Sequence, residues 1–478
     1  MSVDWNAVSQ TISAEWDETV LPALSAYIEV PNQSPHFDAE WATNGLMGKA
    51  MDVIVEWVKN QPIKGLKYEV LEEKGRTPFL IVEVDGTEPT ANTLLLYGHM
   101  DKQPPLPPWD EGLHPQKAVY RDGKLYGRGA ADDGYAIFST LTALAAVQKH
   151  GLPHGHVVVI IEAGEESGSE DLPYYIDRLS DRIGNVDLLI CLDSGAMTYD
   201  KLWLTTALRG VACGILTVET MSESMHSGIS GGVVPDPFRI ARILLNRVED
   251  QTTGEVKVPE AHCAIPEAVV KNMEIMNEVN FMEHFALLPG VSPASDDNVE
   301  LALRNSWKPA LTVTGADLPD PATAGNVIRA KSTLRISLRL PPSANADDAA
   351  NSLKKMLEAD PPYGAKVHFE PDSVGYGFST PELEPWLAKA LNEGSMTVFG
   401  KPFASQGLGG SIPFIAMLLK RFPKAQFVVT GTLGPKSNAH GPNEFLHVPF
   451  TKGLTTCVAR VMADHFHATP KLKTEQIR

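Results

Sequence analysis

Three runs of this chain are apolar almost without interruption: Thr93-Leu-Leu-Leu-Tyr-Gly98, Val157-Val-Val-Ile-Ile161 and Asp187-Leu-Leu-Ile-Cys-Leu192. A strand with one wet face alternates apolar and polar residues. An unbroken run needs cover on both faces, which helices packed on either side of a mostly parallel sheet supply. Apolar positions recur at helical spacing over residues 44–59, a helix is expected over 135–149, and further strands at 66–72, 78–85 and 156–162. The expected fold class is therefore α/β, a central mostly parallel sheet flanked by helices.

From about Leu208 the pattern changes. Residues 333–340, Thr-Leu-Arg-Ile-Ser-Leu-Arg-Leu, alternate strictly, so Thr333, Arg335, Ser337 and Arg339 share one face and the apolar residues the other. That pattern predicts a sheet with one wet face. An amphipathic helix is expected near 236–248, while periodicity says little about 250–330. After Phe378 helix and strand alternate again, with the clearest strand in residues 425–434. The simplest organisation is an α/β domain in two parts, 1–207 and 378–478, interrupted by a smaller α+β domain over 208–377.

With 478 residues, 43% hydrophobic, the chain is long enough for more than one core. A net charge of −18 argues against nucleic acid or an anionic membrane as partner, because either needs a basic face. The N-terminus lacks the basic and apolar regions of a signal peptide, and no stretch approaches 18 uninterrupted apolar residues, so a cytoplasmic protein is expected. Cys191, Cys213, Cys263 and Cys457 are scattered without CxxC spacing, which leaves His and carboxylates as the ligands for any metal.

Such groups gather where the buried strands stop. His99 and Asp101 lie at i and i+2 in "YGHMDKQ", and Asp132 and Asp133 follow glycines in "GRGAADDG". Glu165 and Glu166 sit in "AGEESGSED", Asp193 ends another apolar run in "CLDSG", and His440 lies in "NAHGPNE". Each alone reads as a cap, a turn residue or a solvated acid. Their recurrence at strand ends is what counts, since an open α/β sheet binds its ligands there. Imidazole and carboxylate without thiolate suit a hydrolytic zinc or manganese centre. The histidines of "KHGLPHGH" read as an ordinary turn, and His465 and His467 as surface residues.

The motifs "GHMD", "GRGAADD", "AGEESGSED", "CLDS", "MHSG", "GGSIP" and "NAHGPNE", in this order, resemble the M20 metallopeptidases, and within them the carnosinase and cytosolic nonspecific dipeptidase branch. The resemblance implies two divalent metal ions per subunit, zinc first and manganese second. Asp132 would bridge them, His99 and Asp193 would complete one coordination sphere, and Glu166 and His440 the other. Glu165 would be the general base and Asp101 would hold His99. It implies a homodimer formed through the inserted domain, with His226 of the "HSG" motif reaching the partner's active site. Arg339 would grip a substrate carboxylate, Gly409, Gly410 and Ser411 would supply contacts to the substrate, and Asn326 would line the lid. Two rival classes stand beside this: a serine hydrolase, from the G-x-S-x-G match at Gly228–Gly232, and a non-catalytic binding protein of the same fold.

The chain departs from that branch in three places: the family's DDKG reads Asp132-Asp133-Gly134-Tyr135, Thr380 stands where a His precedes Pro, and the residues before "GGSIP" differ. Arg-Glu usually precedes the Gly-Gly-Ser of "GGSIP", the Glu helping to hold a free amino terminus, whereas Gly407 and Leu408 stand here. The expected substrate is a dipeptide or similar small peptide-like amide, with N-acyl or N-blocked amino acids as the alternative that Leu408 favours.

Overall fold

A computed structural model describes residues 3–285 and 287–470. Its centre is a six-stranded sheet in the order Leu66–Leu71, Phe79–Val84, His156–Glu162, Thr93–His99, Val186–Cys191, Gln426–Val429. The last four run parallel, and the first two form an antiparallel edge.

The unbroken apolar runs are explained by where successive residues point. Leu94, Leu96, Val157, Val159, Ile161, Leu188 and Ile190 enter one core, and Leu95, Tyr97, Val158, Ile160, Leu189 and Cys191 enter another on the opposite face. Helices Ala136–Lys149 and Val448–Ala468 cover the first face, with the N-terminal helices outside them. Helices Leu172–Arg178 and Pro413–Arg421 lie over the second. A strand of this sheet is thus dry on both sides, as its composition requires.

His465, read from sequence as a surface residue, is buried instead. Its Nε2 lies 2.7 Å from Asp187 Oδ1 and 2.9 Å from Thr469 Oγ1, tying the end of the last helix to the start of the Val186–Cys191 strand.

A four-stranded antiparallel sheet, ordered Ala310–Asp317, Lys331–Leu340, Gly210–Glu219, Lys366–Gly375, has its own core. Leu334, Ile336, Leu338 and Leu340 pack under helices Pro237–Val248 and Ala346–Glu358, while Arg335 and Arg339 stand on the open face. One dry and one wet face is what the alternation dictates. The stretch with little periodicity proves to hold short helices, Glu267–Met273 and Asn298–Ser306, and 3-10 turns between them. Met273, Met276, Phe281, Leu301 and Trp307 from this stretch pack with Ala196, Met197, Trp203, Ala207 and Ala404 rather than with the four-stranded sheet's core. Among the described residues no helix is long and apolar enough to cross a membrane.

Candidate metal centre

The parallel strands His156–Glu162, Thr93–His99 and Val186–Cys191 are neighbours, and His99 stands level with Glu162 in their register. Their carboxyl ends therefore deliver His99, the loop bearing Glu165 and Glu166, and Asp193 to one place. The glycine-rich turn Gly127–Gly134 brings Asp132 there, with Gly129 at φ +80° lying over the Lys102 side chain so closely that a Cβ would stand 2.7 Å from Cε. The Asp132–Asp133 peptide is cis. His440 comes from the far end of the chain in a left-handed conformation, φ +63°, unusual for a residue with a side chain.

The structure brings the five expected ligands together. His99 Nε2 is 3.3 Å from Asp132 Oδ1 and 3.9 Å from Asp193 Oδ2. The other oxygen of Asp132 is 2.9 Å from His440 Nε2, which is itself 3.3 Å from Glu166 Oε2. Asp132 thus faces one imidazole with each carboxylate oxygen. Two donor sets, His99–Asp132–Glu166 and His99–Glu165–Asp193, each lie within 4.8 Å of one another. Glu165 belongs to the cluster too, its Oε2 lying 4.0 Å from His99 Nε2.

Burial makes these carboxylates reluctant to ionise together. Desolvation and then Asp193 push Glu165 well above the usual range, and desolvation and then Asp132 push Glu166 up to about 8. Desolvation raises Asp193 to about 7. Asp132 moves the other way: burial opposes its charge, but hydrogen bonds from His440 and His99 outweigh it and hold the carboxyl low. Burial also opposes charge on the two imidazoles, yet Asp101 and Asp132 keep His99 well above its ordinary value, and Asp132 keeps His440 up at about 9. So many desolvated acids around two imidazoles, without thiolate or lysine, form a donor set that fits hard or borderline divalent cations.

Around this cluster lies a set of tethers. Asp101 is fully buried; its carboxylate accepts the backbone N–H groups of Glu165 and Glu166 at 3.1 and 3.0 Å. The nearest partner of His99 Nδ1 is the Asp101 carbonyl at 3.1 Å, with the carboxylate at 3.5 Å. Asp101 therefore couples the His99 strand end to the Glu165–Glu166 turn, a task that shared-face spacing does not reveal. Gln103 donates to Glu166 Oε2 at 2.7 Å. Glu162 accepts from the hydroxyls of Tyr97 at 2.6 Å and Ser169 at 2.8 Å, and Asp171 accepts from Arg76 and Thr77.

Sequence reasoning passed over Arg128 and Glu444, both buried. Glu444 accepts the N–H groups of Gly129, Ala131 and Asp132 together with Arg128 Nη1, and Arg128 also donates to Pro104 O and Gly441 O. One ion pair thereby fastens the loops after His99, before Asp132 and after His440. Arg128 lies in "GRGAADD" and Glu444 in "NAHGPNE", but nothing in their spacing distinguishes a tether from a solvated charge.

The expected substrate-contact residues lie in two places. Arg339 Nη1 donates to Ser411 Oγ at 3.1 Å, and the Ser411 hydroxyl in turn donates to the Arg209 carbonyl. Gly409 sits against Arg209 and Asn305, where a Cβ would come within 2.9 Å of the Asn305 carbonyl. Gly410 accepts from Arg209 N–H. Leu408, half-buried, puts Cδ1 3.9 Å from where a side chain on Gly195 would begin, and Gly407 makes room for Ser306, since a Cβ there would stand 2.4 Å from that of Ser306. His226 and Asn326 stand apart on an exposed two-strand ladder: His226 pairs with Val327, Asn326 O accepts Ser227 N–H, and the His226 ring accepts from Gly228 N–H. Ser230, the centre of the G-x-S-x-G match, is buried and donates to the His226 carbonyl, preceded by a strand of only two residues, Met225–His226.

Comparison with known proteins bears on the family and the fold. The chain is 30% identical over 364 residues to a cysteinylglycine-S-conjugate dipeptidase of Corynebacterium striatum, covering 74% of this chain and 77% of that one. Its fold is that of human carnosine dipeptidase 1, with a TM-score of 0.77 at 21% identity over 97% and 99% of the two chains. It is also that of the dipeptidase Dug1p of Saccharomyces cerevisiae, with a TM-score of 0.75 at 23% identity over the same shares. The model of peptidase family M20/M25/M40 matches residues 95–464, and the chain belongs to that family.

Proposed function

We propose that the protein is a metal-dependent hydrolase that cleaves the amide bond of dipeptides. The observation that carries this reading is the convergence of His99, Asp132, Glu165, Glu166, Asp193 and His440 at the carboxyl edge of the parallel strands. His99, Asp132 and Asp193 would hold one divalent cation, and Asp132, Glu166 and His440 a second, zinc in preference to manganese. Bound there, the cations supply Lewis acidity toward a water molecule and the scissile carbonyl. Glu165 takes the proton of the attacking water and returns it to the leaving amine nitrogen, a task suited to a carboxyl whose burial raises its affinity for a proton. Asp101 holds the Glu165–Glu166 turn in place while this happens.

The segment 208–377 would act as lid and dimerisation domain. His226, exposed on its two-strand ladder, and the neighbouring Asn326 would serve a partner subunit's site, where the imidazole would stabilise the oxyanion. Arg339 would take the substrate carboxylate through its fork of N–H groups. A His226→Ala chain mixed with a Glu165→Gln chain should regain activity through mixed dimers; no recovery after proven subunit exchange counts against action in trans.

A second reading has its own observation. Leu408 lies near Gly195, two residues beyond Asp193, where an ammonium group would lose a charge-assisted hydrogen bond worth about 1.5–3 kcal/mol. N-acyl amino acids need no such bond. Parallel assays of free dipeptides and their N-acetylated counterparts, in enzyme reconstituted with zinc or manganese, separate the two. Hydrolysis of neither, at full metal occupancy, overturns both.

A further inference from the structure

Arg209 is the single residue between strands Trp203–Leu208 and Gly210–Glu219, where the chain crosses from a small three-stranded sheet into the four-stranded one. It is only 8% exposed. Its backbone and side chain both engage the 409–411 turn: its N–H donates to Gly410 O at 3.2 Å, its Nε to Gly409 O at 3.1 Å, and its carbonyl accepts the Ser411 hydroxyl. Nη1 reaches Arg304 O, at the end of helix Asn298–Ser306, at 3.4 Å. Because Ser411 spends its proton on Arg209, it can meet Arg339 only as an acceptor, which is how the two are found. Among the described residues neither Arg209 nor Arg339 has a carboxylate partner.

A buried guanidinium beside a second one, without a counter-ion, carries a desolvation cost that an arriving anion relieves. Burial, and then the charge of Arg339, already pull Arg209 down to about 10, low for a guanidinium yet still charged at neutral pH. We propose that Arg209 is a positioning residue for recognition of the substrate's carboxylate. It locks the 409–411 turn so that Ser411 orients the Arg339 fork, and it leaves a second, uncompensated positive charge behind that fork. This rests on the reading of Arg339 as the carboxylate contact.

The test compares a cleaved substrate bearing a free carboxylate with the same substrate amidated at that end, in metal-loaded wild-type, Arg209→Met, Arg209→Lys and Arg339→Met proteins. Arg209→Met should raise KM for the carboxylate by about tenfold or more, an effect of the size of a charge-assisted bond, with kcat changed far less and KM for the amide unmoved. Arg209→Lys should recover part of the loss, since it restores charge without the Nε contact. Binding of N-acetylglycine to metal-free protein, followed calorimetrically, should weaken in the same order. An equal rise in KM for both substrates, or a fall in kcat alone, overturns the inference. If Arg339→Met leaves the KM for the carboxylate unchanged, the reading of Arg339 fails first; if Arg339→Met raises it and neither Arg209 variant does, Arg209 has no such role. Should Arg209→Met not fold, Arg209→Lys and Ser411→Ala decide on the same readouts.

Discussion

The two large sheets handle chemistry in opposite ways. The six-stranded sheet is dry on both faces and carries its reactive groups at one end, where Asp101, Gln103, Arg128 and Glu444 bind the loops to one another. The four-stranded sheet is dry on one face only and carries Arg339 on the other, with His226 exposed on a ladder of its own. Groups that must share charge are fixed in a common buried network. The groups proposed to meet the substrate are set on a body with a separate core. A perturbation confined to one region should therefore leave the signature of the other intact.

The largest break falls in the first region. Asp132→Ala removes the carboxylate that faces both imidazoles and should bring turnover to background along with loss of bound metal; elemental analysis showing retained stoichiometry contradicts the bridging role. Glu165→Gln should reduce kcat by roughly 10²–10⁴-fold while metal content stays near that of the wild type. Equal loss of metal would make Glu165 a ligand instead. In the second region, Ile336→Ala, at a fully buried position of the four-stranded sheet's core, should cost about 2–5 kcal/mol in denaturant unfolding and leave metal affinity unchanged. A parallel loss of metal affinity would show that the two regions are coupled more tightly than their separate cores imply.

The smallest effect is a pH dependence. Burial raises Glu162 from 4.5 to about 7, so between those values the folded state holds a proton that the unfolded chain has released. Stability from this group is fully present below pH 4.5 and declines as pH rises to about 7, by at most about 3 kcal/mol. Glu162→Gln should make that decline shallower in metal-free protein, with Glu165, Glu166 and Asp193, raised in the same way, keeping their shares. Parallel curves for the two proteins from pH 4.5 to 8 would remove Glu162 as its source.

What could be read from sequence follows the same division. Unbroken apolar runs can be satisfied in few ways, so the central sheet, the helices over it and the strand-end positions of His99, Glu165, Glu166 and Asp193 were all open to inference. Alternation exposed the wet face of the Lys331–Leu340 strand equally well. The short helices of 267–306 were not legible, because each turn buries one or two residues against Trp203 and Ala404, contacts set by tertiary packing rather than by local period. The tethers were hidden for a related reason. A buried acid such as Glu444 is recognised by its donors, and those lie in a glycine loop far away in the chain. His465 was misread because its partner, Asp187, is likewise remote.

That remoteness has a consequence for synthesis. Arg128 and Glu444 are 316 positions apart, and Asp132 waits for Glu444, 312 positions further on, and for His440. Domains emerge amino end first, at about 5–20 residues per second, so the earlier loops spend on the order of tens of seconds without the segment that joins them. The cluster is thus closed only after residue 444 has emerged, and a nascent chain released before residue 440 carries Glu165 yet lacks the imidazole that faces Asp132. The proposed hydrolytic centre is withheld from shorter fragments by topology alone.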